Sequence, residues 1–301
     1  MELELVAEGL EFPEGPVAMA DGSVLVAEIK GRRITRVLPD GSKDVLVETG
    51  GGPNGLAIGP DGALWIADNG GSFSWHEEMG LTLPGPTPPG HEGGSIRRFD
   101  FASGQVETVY DGFEGQRLIG PNDLVFDSKG GLWFTDHGCT TAGGRRYGAL
   151  CYAADGAVTR QRDGLVSPNG VGLSPDGKVV YVADTWLQRL WAFDLDGPGV
   201  LAPPGLAPGR VVANLPGYQL LDSLAVEAGG TVCVATIVNG GITAIEPSDG
   251  ALEHFPVPDP LCTNICFGGE DMRDAWITAS GTGRLYKARW PRPGLKLAFN
   301  A

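Results

Sequence analysis

Six times along this chain an oxygen-bearing side chain stands at the head of a short apolar strand. The six are Glu14, Asn54, Asn122, Asn169, Asp222 and Asn264, in the strings EGPVAMADG, PNGLAIGPDG, PNDLVFDSKG, PNGVGLSPDG, LDSLAVEAGG and TNICFGGED. Each is followed by a strand-like run: SVLVAE, ALWIAD, GLWFTD, VVYVAD, TVCVAT and DAWITA. Apart from a longer stretch between Asn54 and Asn122, the interval is roughly 40 to 50 residues, the period of a four-stranded propeller blade. Such a unit cannot bury its sheet alone and must stack on copies of itself. The expected fold is therefore all-β: a six-bladed β-propeller with four antiparallel strands per blade.

The punctuation agrees. The 48 glycines and 23 prolines among 301 residues fall between apolar runs, as the turns of tight hairpins require. The fourth repeat shows the order: GVGLSPDG, VVYVAD, RLWAFDLDG, RVVANL. The sixth repeat lacks a fourth strand, while ELELVAE at the N-terminus is a fourth strand without a blade. Pairing the two closes the ring and removes its open edges. Residues 1–301 are thus expected to form a single propeller domain. The long interval needs an insertion, at about residues 70–94, whose run of turn formers shows no strand period. Covering the channel mouth as a lid, a solvated excursion and an oligomer contact are the competing readings of it.

With 37 acidic and 22 basic residues the formal net charge is -15, so the summed field repels phosphate backbones and anionic membrane surfaces, and no nucleic-acid partner is expected. No apolar run is long enough to span a bilayer, and the N-terminus lacks the basic start and apolar block of a secretion signal. A cytoplasmic protein with no membrane partner is expected; the oligomeric state leaves no signature. The five cysteines are an odd number without CxxC spacing, which indicates neither a disulfide framework nor a zinc knuckle.

Closing the ring brings the six repeat donors to its axis. Because the end of each second strand lies beside the start of the first, Glu28, Asp68, Asp136, Asp184 and Thr236 face the same mouth, with His137 beside them. For Asp68, Asp136 and Asp184 the favoured role is structural, accepting backbone N–H groups where strands end. Carboxylates and amide carbonyls without paired His or Cys form an oxygen site, suited to one divalent cation: Ca2+ first, since it tolerates irregular mixed ligands, then Mg2+ or Mn2+. Asn and Asp are also common turn residues, above all before Gly, and the turn reading is preferred for Asn54 and Asn264.

The EGP at Glu14, the SPNG at Asn169, the acid at Asp222 before a strand, and the late FGG followed by WITASGTGRLY together resemble the SMP-30/gluconolactonase family of six-bladed propellers. The resemblance covers essentially the whole chain. It implies a divalent metal held by Glu14, Asn169 and Asp222, with Ser223 assisting, and a contact from Asn122 to substrate or to water at the metal. Where the animal branch has a substrate-binding Arg and Glu, this chain has Gly120 and Thr140, and the TDHG string at Asp136 and His137 is closer to the bacterial lactonases.

The expected activity is hydrolysis of a small-molecule substrate, a sugar lactone or a related lactone or ester, by metal-assisted water attack on the carbonyl. Asp222 is the first candidate for general base, with Asp123 and His137 in reserve. His137 is weighed equally as a substrate-binding or loop-fixing residue of the mouth. Two alternatives stand beside hydrolysis: a non-catalytic binding module stapled by its ion, and another metal-assisted reaction such as phosphotriester cleavage or isomerisation.

Overall fold

The computed structural model describes residues 1–299. Among them there is no helix, and so none long and apolar enough to cross a membrane. Each repeat folds into an antiparallel sheet whose first strand is innermost. These inner strands are Pro13–Ala18, Pro53–Ile58, Pro121–Phe126, Pro168–Leu173, Leu220–Val226 and Cys262–Gly268. Each touches the next, and the last touches the first, so six blades close a ring.

The seam is where the sequence places it. Leu3–Ala7 pairs antiparallel with Arg284–Arg289, Leu3 opposite Ala288 and Leu5 opposite Tyr286, and supplies the fourth strand of the last blade. Thr263 Oγ1 also donates to the Pro13 carbonyl at 3.4 Å, tying the last blade to the first.

Burial falls from the axis outward. The inner strand Pro168–Leu173 is buried throughout, whereas the outer strand Lys43–Glu48 is largely exposed. Between blades the apolar faces interlock. The third and fourth blades share a cluster in which Trp133 and Leu150 meet Val171, Val182 and Phe193.

Two features are absent from the sequence-based expectation. The insertion is not irregular: Ser74–Glu78 and Leu81–Gly85 pair as a β-hairpin about Met79 and Gly80, both in the left-handed region. It leans away from its own blade, with Lys30 Nζ 2.6 Å from Glu77 Oε1 and the Thr82 N–H donating to the Gly281 carbonyl at 2.9 Å. In addition, the C-terminal segment runs back under the ring. Trp290 Nε1 and Arg292 Nε donate to the buried Glu227 carboxylate at 2.7 and 2.5 Å, and Leu295, Leu297 and Phe299 reach the apolar half of the axial channel.

Candidate functional site at the channel mouth

In every blade the register between first and second strands slips just where the donor sits: between Glu14 and Val17, Pro53 and Leu56, Pro121 and Leu124, Pro168 and Val171, Leu221 and Leu224, and Cys262 and Asn264. A bulge of this kind bends the strand and re-aims a side chain. The donors are therefore strand residues. This corrects the turn reading for Asn54 and Asn264. Asn54 lines the mouth, and Asn264 lies behind Glu14, donating through Nδ2 to Glu14 Oε2 at 2.7 Å.

The glycine after the donor is required for another reason than a turn. A Cβ on Gly55 would stand 2.7 Å from the Asn122 carbonyl oxygen and the Asp123 Cα, and one on Gly170 would stand 2.6 Å from the Leu224 nitrogen. At these two glycines adjacent inner strands approach too closely for a side chain, whereas the corresponding positions of other blades hold Asp123, Ser223 and Ile265.

The channel has two unlike halves. On the mouth side a cavity of about 470 Å3 has Glu14, Asn54, Asn122, Asn169 and Asp222 at its floor, with His137, Arg145 and Thr185 on one wall. A site of that size suits a small molecule. Of the sequence-derived candidates, Glu14, Asn122, Asn169, Asp222 and His137 are brought together here. Asp123 is not. Its carboxylate accepts the Leu124 and Val171 N–H groups at 2.9 and 3.3 Å, and it lines the apolar half below. Ser223 is wholly buried, its Oγ 3.4 Å from Asn169 Oδ1.

Three carboxyls are thus buried near the axis, and among the described residues none forms an ion pair with Lys, Arg or His. Burial, then the charge of Asp222, pushes the Glu14 carboxyl well above the carboxylate range against the Asn264 amide. Burial likewise raises Asp222 to about 7, with Asn169 opposing and the charge of Asp123 adding to the rise, and raises Asp123 to about 7. Asn122 Oδ1 is buried without a hydrogen-bond partner. Crowded carboxyls and an orphaned amide oxygen fit a dication. No group of three or more His, Cys, Asp and Glu suited to a metal occurs among the described residues, so amide oxygens would have to complete the ligand set.

The strand-end acids form no charged tier at the mouth. Asp136 accepts the Ile119 and Gly120 N–H groups at 2.9 and 2.8 Å, Asp184 those of Val166 and Ser167 at 3.1 and 3.0 Å, and Asp68 those of Gly52 and Gly70 at 2.7 and 2.8 Å. Glu28 is held by Arg33 at 2.8 Å. They pin the loops that enter each blade.

His137 is half-buried with Nδ1 3.2 Å from the Pro168 carbonyl, which fixes the proton on Nδ1 and leaves the Nε2 lone pair free. Lost solvation and the nearby Arg145 guanidinium push its imidazolium down to about 3, so the ring is neutral. Arg145 has no counterpart in the sequence reading. It donates to the Val166 and His137 carbonyls, each at 2.6 Å, and to Thr140 Oγ1 at 2.8 Å, and among the described residues it makes no carboxylate ion pair. Its only sequence signal is a basic pair in the turn GGRRYG. His76 lines the mouth, whereas His91 bonds the Ile119 carbonyl at 2.8 Å in a separate polar cavity, so the two do not converge.

The family model described as "SMP-30/Gluconolactonase/LRE-like region" matches residues 12–281. A gluconolactonase of Zymomonas mobilis is 26% identical over 310 aligned positions, which cover 92% of this chain and 79% of that protein. The solved structure of a gluconolactonase from Xanthomonas campestris superposes with a TM-score of 0.76 at 25% identity, covering 96% of this chain and 89% of that one. The structure of a calcium-binding protein, regucalcin, from Agrobacterium tumefaciens superposes with a TM-score of 0.71 at 19% identity, covering 97% of each chain, a likeness that shows the fold.

Proposed function

Because the chain belongs to the SMP-30/gluconolactonase/LRE-like family, we propose that it is a lactone hydrolase whose reaction takes place on the donor floor of the mouth cavity. The observation that carries this reading is the convergence of Glu14, Asn122, Asn169 and Asp222 in one small-molecule cavity, with buried carboxyls that no protein cation neutralises. Glu14, Asn169 and Asp222 would hold the divalent cation, Ca2+ before Mg2+ or Mn2+ because the ligands are mixed carboxylate and amide oxygens. Such an ion polarises a carbonyl and acidifies water.

The chain's own groups do the rest. Asn122 presents its amide to the substrate and orients the ring carbonyl. Asp222, a carboxylate on the cavity floor, takes the proton from the attacking water. As the carbon–ring oxygen bond breaks, the same proton passes to the leaving alkoxide, and a hydroxy acid is released. Neutral His137 positions a hydroxyl or water through its free Nε2. Asp123, facing the other half of the channel, supports the strands and is not the base. Five cysteines without a disulfide suit a reducing compartment, which supports a cytoplasmic setting.

The test is a lactone panel on chelator-stripped protein, with each cation restored in turn. Hydrolysis lost on stripping and regained with one cation supports the reading. Inert lactones, together with a melting temperature that falls on stripping, would leave the ion as a staple of the ring.

A further inference from the structure

The mouth cavity is chemically two-sided. Its floor and one wall are polar, but the opposite wall is built from Phe12, Ile29, Phe73, Leu83, Ile237 and Leu261. Phe12, Ile29 and Leu261 belong to the ring and are buried; Phe73 and Leu83 come from the inserted hairpin and, with Ile237, remain half-exposed on the cavity side. Behind them Trp75 packs at a tilt against Phe12 with ring centroids 4.8 Å apart, so the wall is backed by packed side chains. None of these six side chains offers a donor or acceptor; the one polar neighbour that the hairpin strands add to the cavity lining is the exposed His76, cross-strand partner of Leu83. A polyhydroxylated substituent pressed against them would lose water contacts without replacement, which is costly for each hydroxyl. An apolar substituent would gain from the same surface.

Resting on the lactone-hydrolase reading above, we infer that the preferred substrate is a lactone whose ring carries an alkyl or aryl substituent, with the carbonyl on the donor floor and the substituent against the hairpin wall. The hairpin is then the specificity element. Phe73 and Leu83 select the substituent and take no part in bond breaking.

The experiment compares δ-valerolactone, δ-octalactone, δ-decalactone and glucono-δ-lactone on the cation-loaded protein, with binding of the corresponding alkyl δ-lactams measured by calorimetry. The inference expects kcat/KM to climb with chain length by up to about fourfold per buried methylene, with glucono-δ-lactone well below δ-decalactone. Leu83→Ser and Phe73→Ser are expected to lower kcat/KM for δ-decalactone at least several-fold more than for δ-valerolactone, flattening the slope. Turnover that is indifferent to the substituent, or greatest for glucono-δ-lactone, overturns the inference and leaves the hydrolase standing. If every lactone is inert, lactam affinity that rises with chain length upholds the apolar wall and removes hydrolysis, while flat affinity removes both.

Discussion

At Asp222 a single carboxyl is asked to be ligand and base, and while no cation is bound burial raises its proton affinity. Asp222→Asn preserves shape while removing charge and basicity. It should lower kcat/KM by about 10²- to 10⁴-fold, the usual contribution of a general base, and weaken cation affinity in the same titration; full turnover would exclude the assignment. The raised carboxyls also set a pH dependence. Glu14, Asp123 and Asp222 bind protons more tightly folded than unfolded, so the folded state holds more protons between the ordinary carboxyl range and about 7. Stability of the stripped protein should therefore fall as pH rises through that window. Its melting temperature is expected to be several degrees higher at pH 5.5 than at pH 8, each kcal/mol counting for about 2 °C in a chain of this size. Calcium should abolish most of the difference. A melting temperature that rises with pH in chelator would mean these groups are not buried together.

Among the elements, the N-terminal strand has the plainest energetic role. Removing Glu2 to Glu8 leaves Arg284–Arg289 as an open edge and uncovers the cluster containing Ala7. A fall in melting temperature on the order of 10 °C, or loss of soluble protein, is expected; an unchanged value in a thermal scan refutes closure by this strand. That strand was legible because ELELVAE precedes Glu14 as DVLVE precedes Asn54 and QVETVYD precedes Asn122, and the blades were legible because their period survives in turns and apolar runs. The hairpin was not. Its partners Trp75 and Pro84, His76 and Leu83 follow no β-branched alternation, and its turn is Met79-Gly80 in place of an Asn-Gly or Asp-Gly pair. Asn54 was misjudged for a related reason. Asn-Gly has the same spelling whether glycine serves a left-handed turn or, as at Gly55, the approach of a neighbouring strand. Arg145 was missed because a guanidinium held by carbonyls obeys no sequence spacing.

For the whole molecule, the axial channel is polar at one end and apolar at the other, and Leu295, Leu297 and Phe299 occupy the apolar end. Ending the chain after Gly294 removes Leu295 and Phe299 from contact with a channel lined by Leu124, Phe126, Leu173 and Leu224. The half-buried plug contributes roughly 2 to 4 kcal/mol, so a lower melting temperature and new binding of an apolar dye are expected; neither change would mean the channel is sealed without it. The seam has a consequence of another kind, in time. Leu3–Ala7 is made long before its partner Arg284–Arg289. At ribosomal speeds of about 5–20 residues per second, the opening strand waits on the order of 15 to 60 seconds without a partner. Glu14 waits equally long for Asn264, to which it bonds across 250 positions of sequence. Until the last blade emerges there is neither a closed ring nor the Asn264 amide behind Glu14, and Leu3–Ala7 remains an unpaired β-strand.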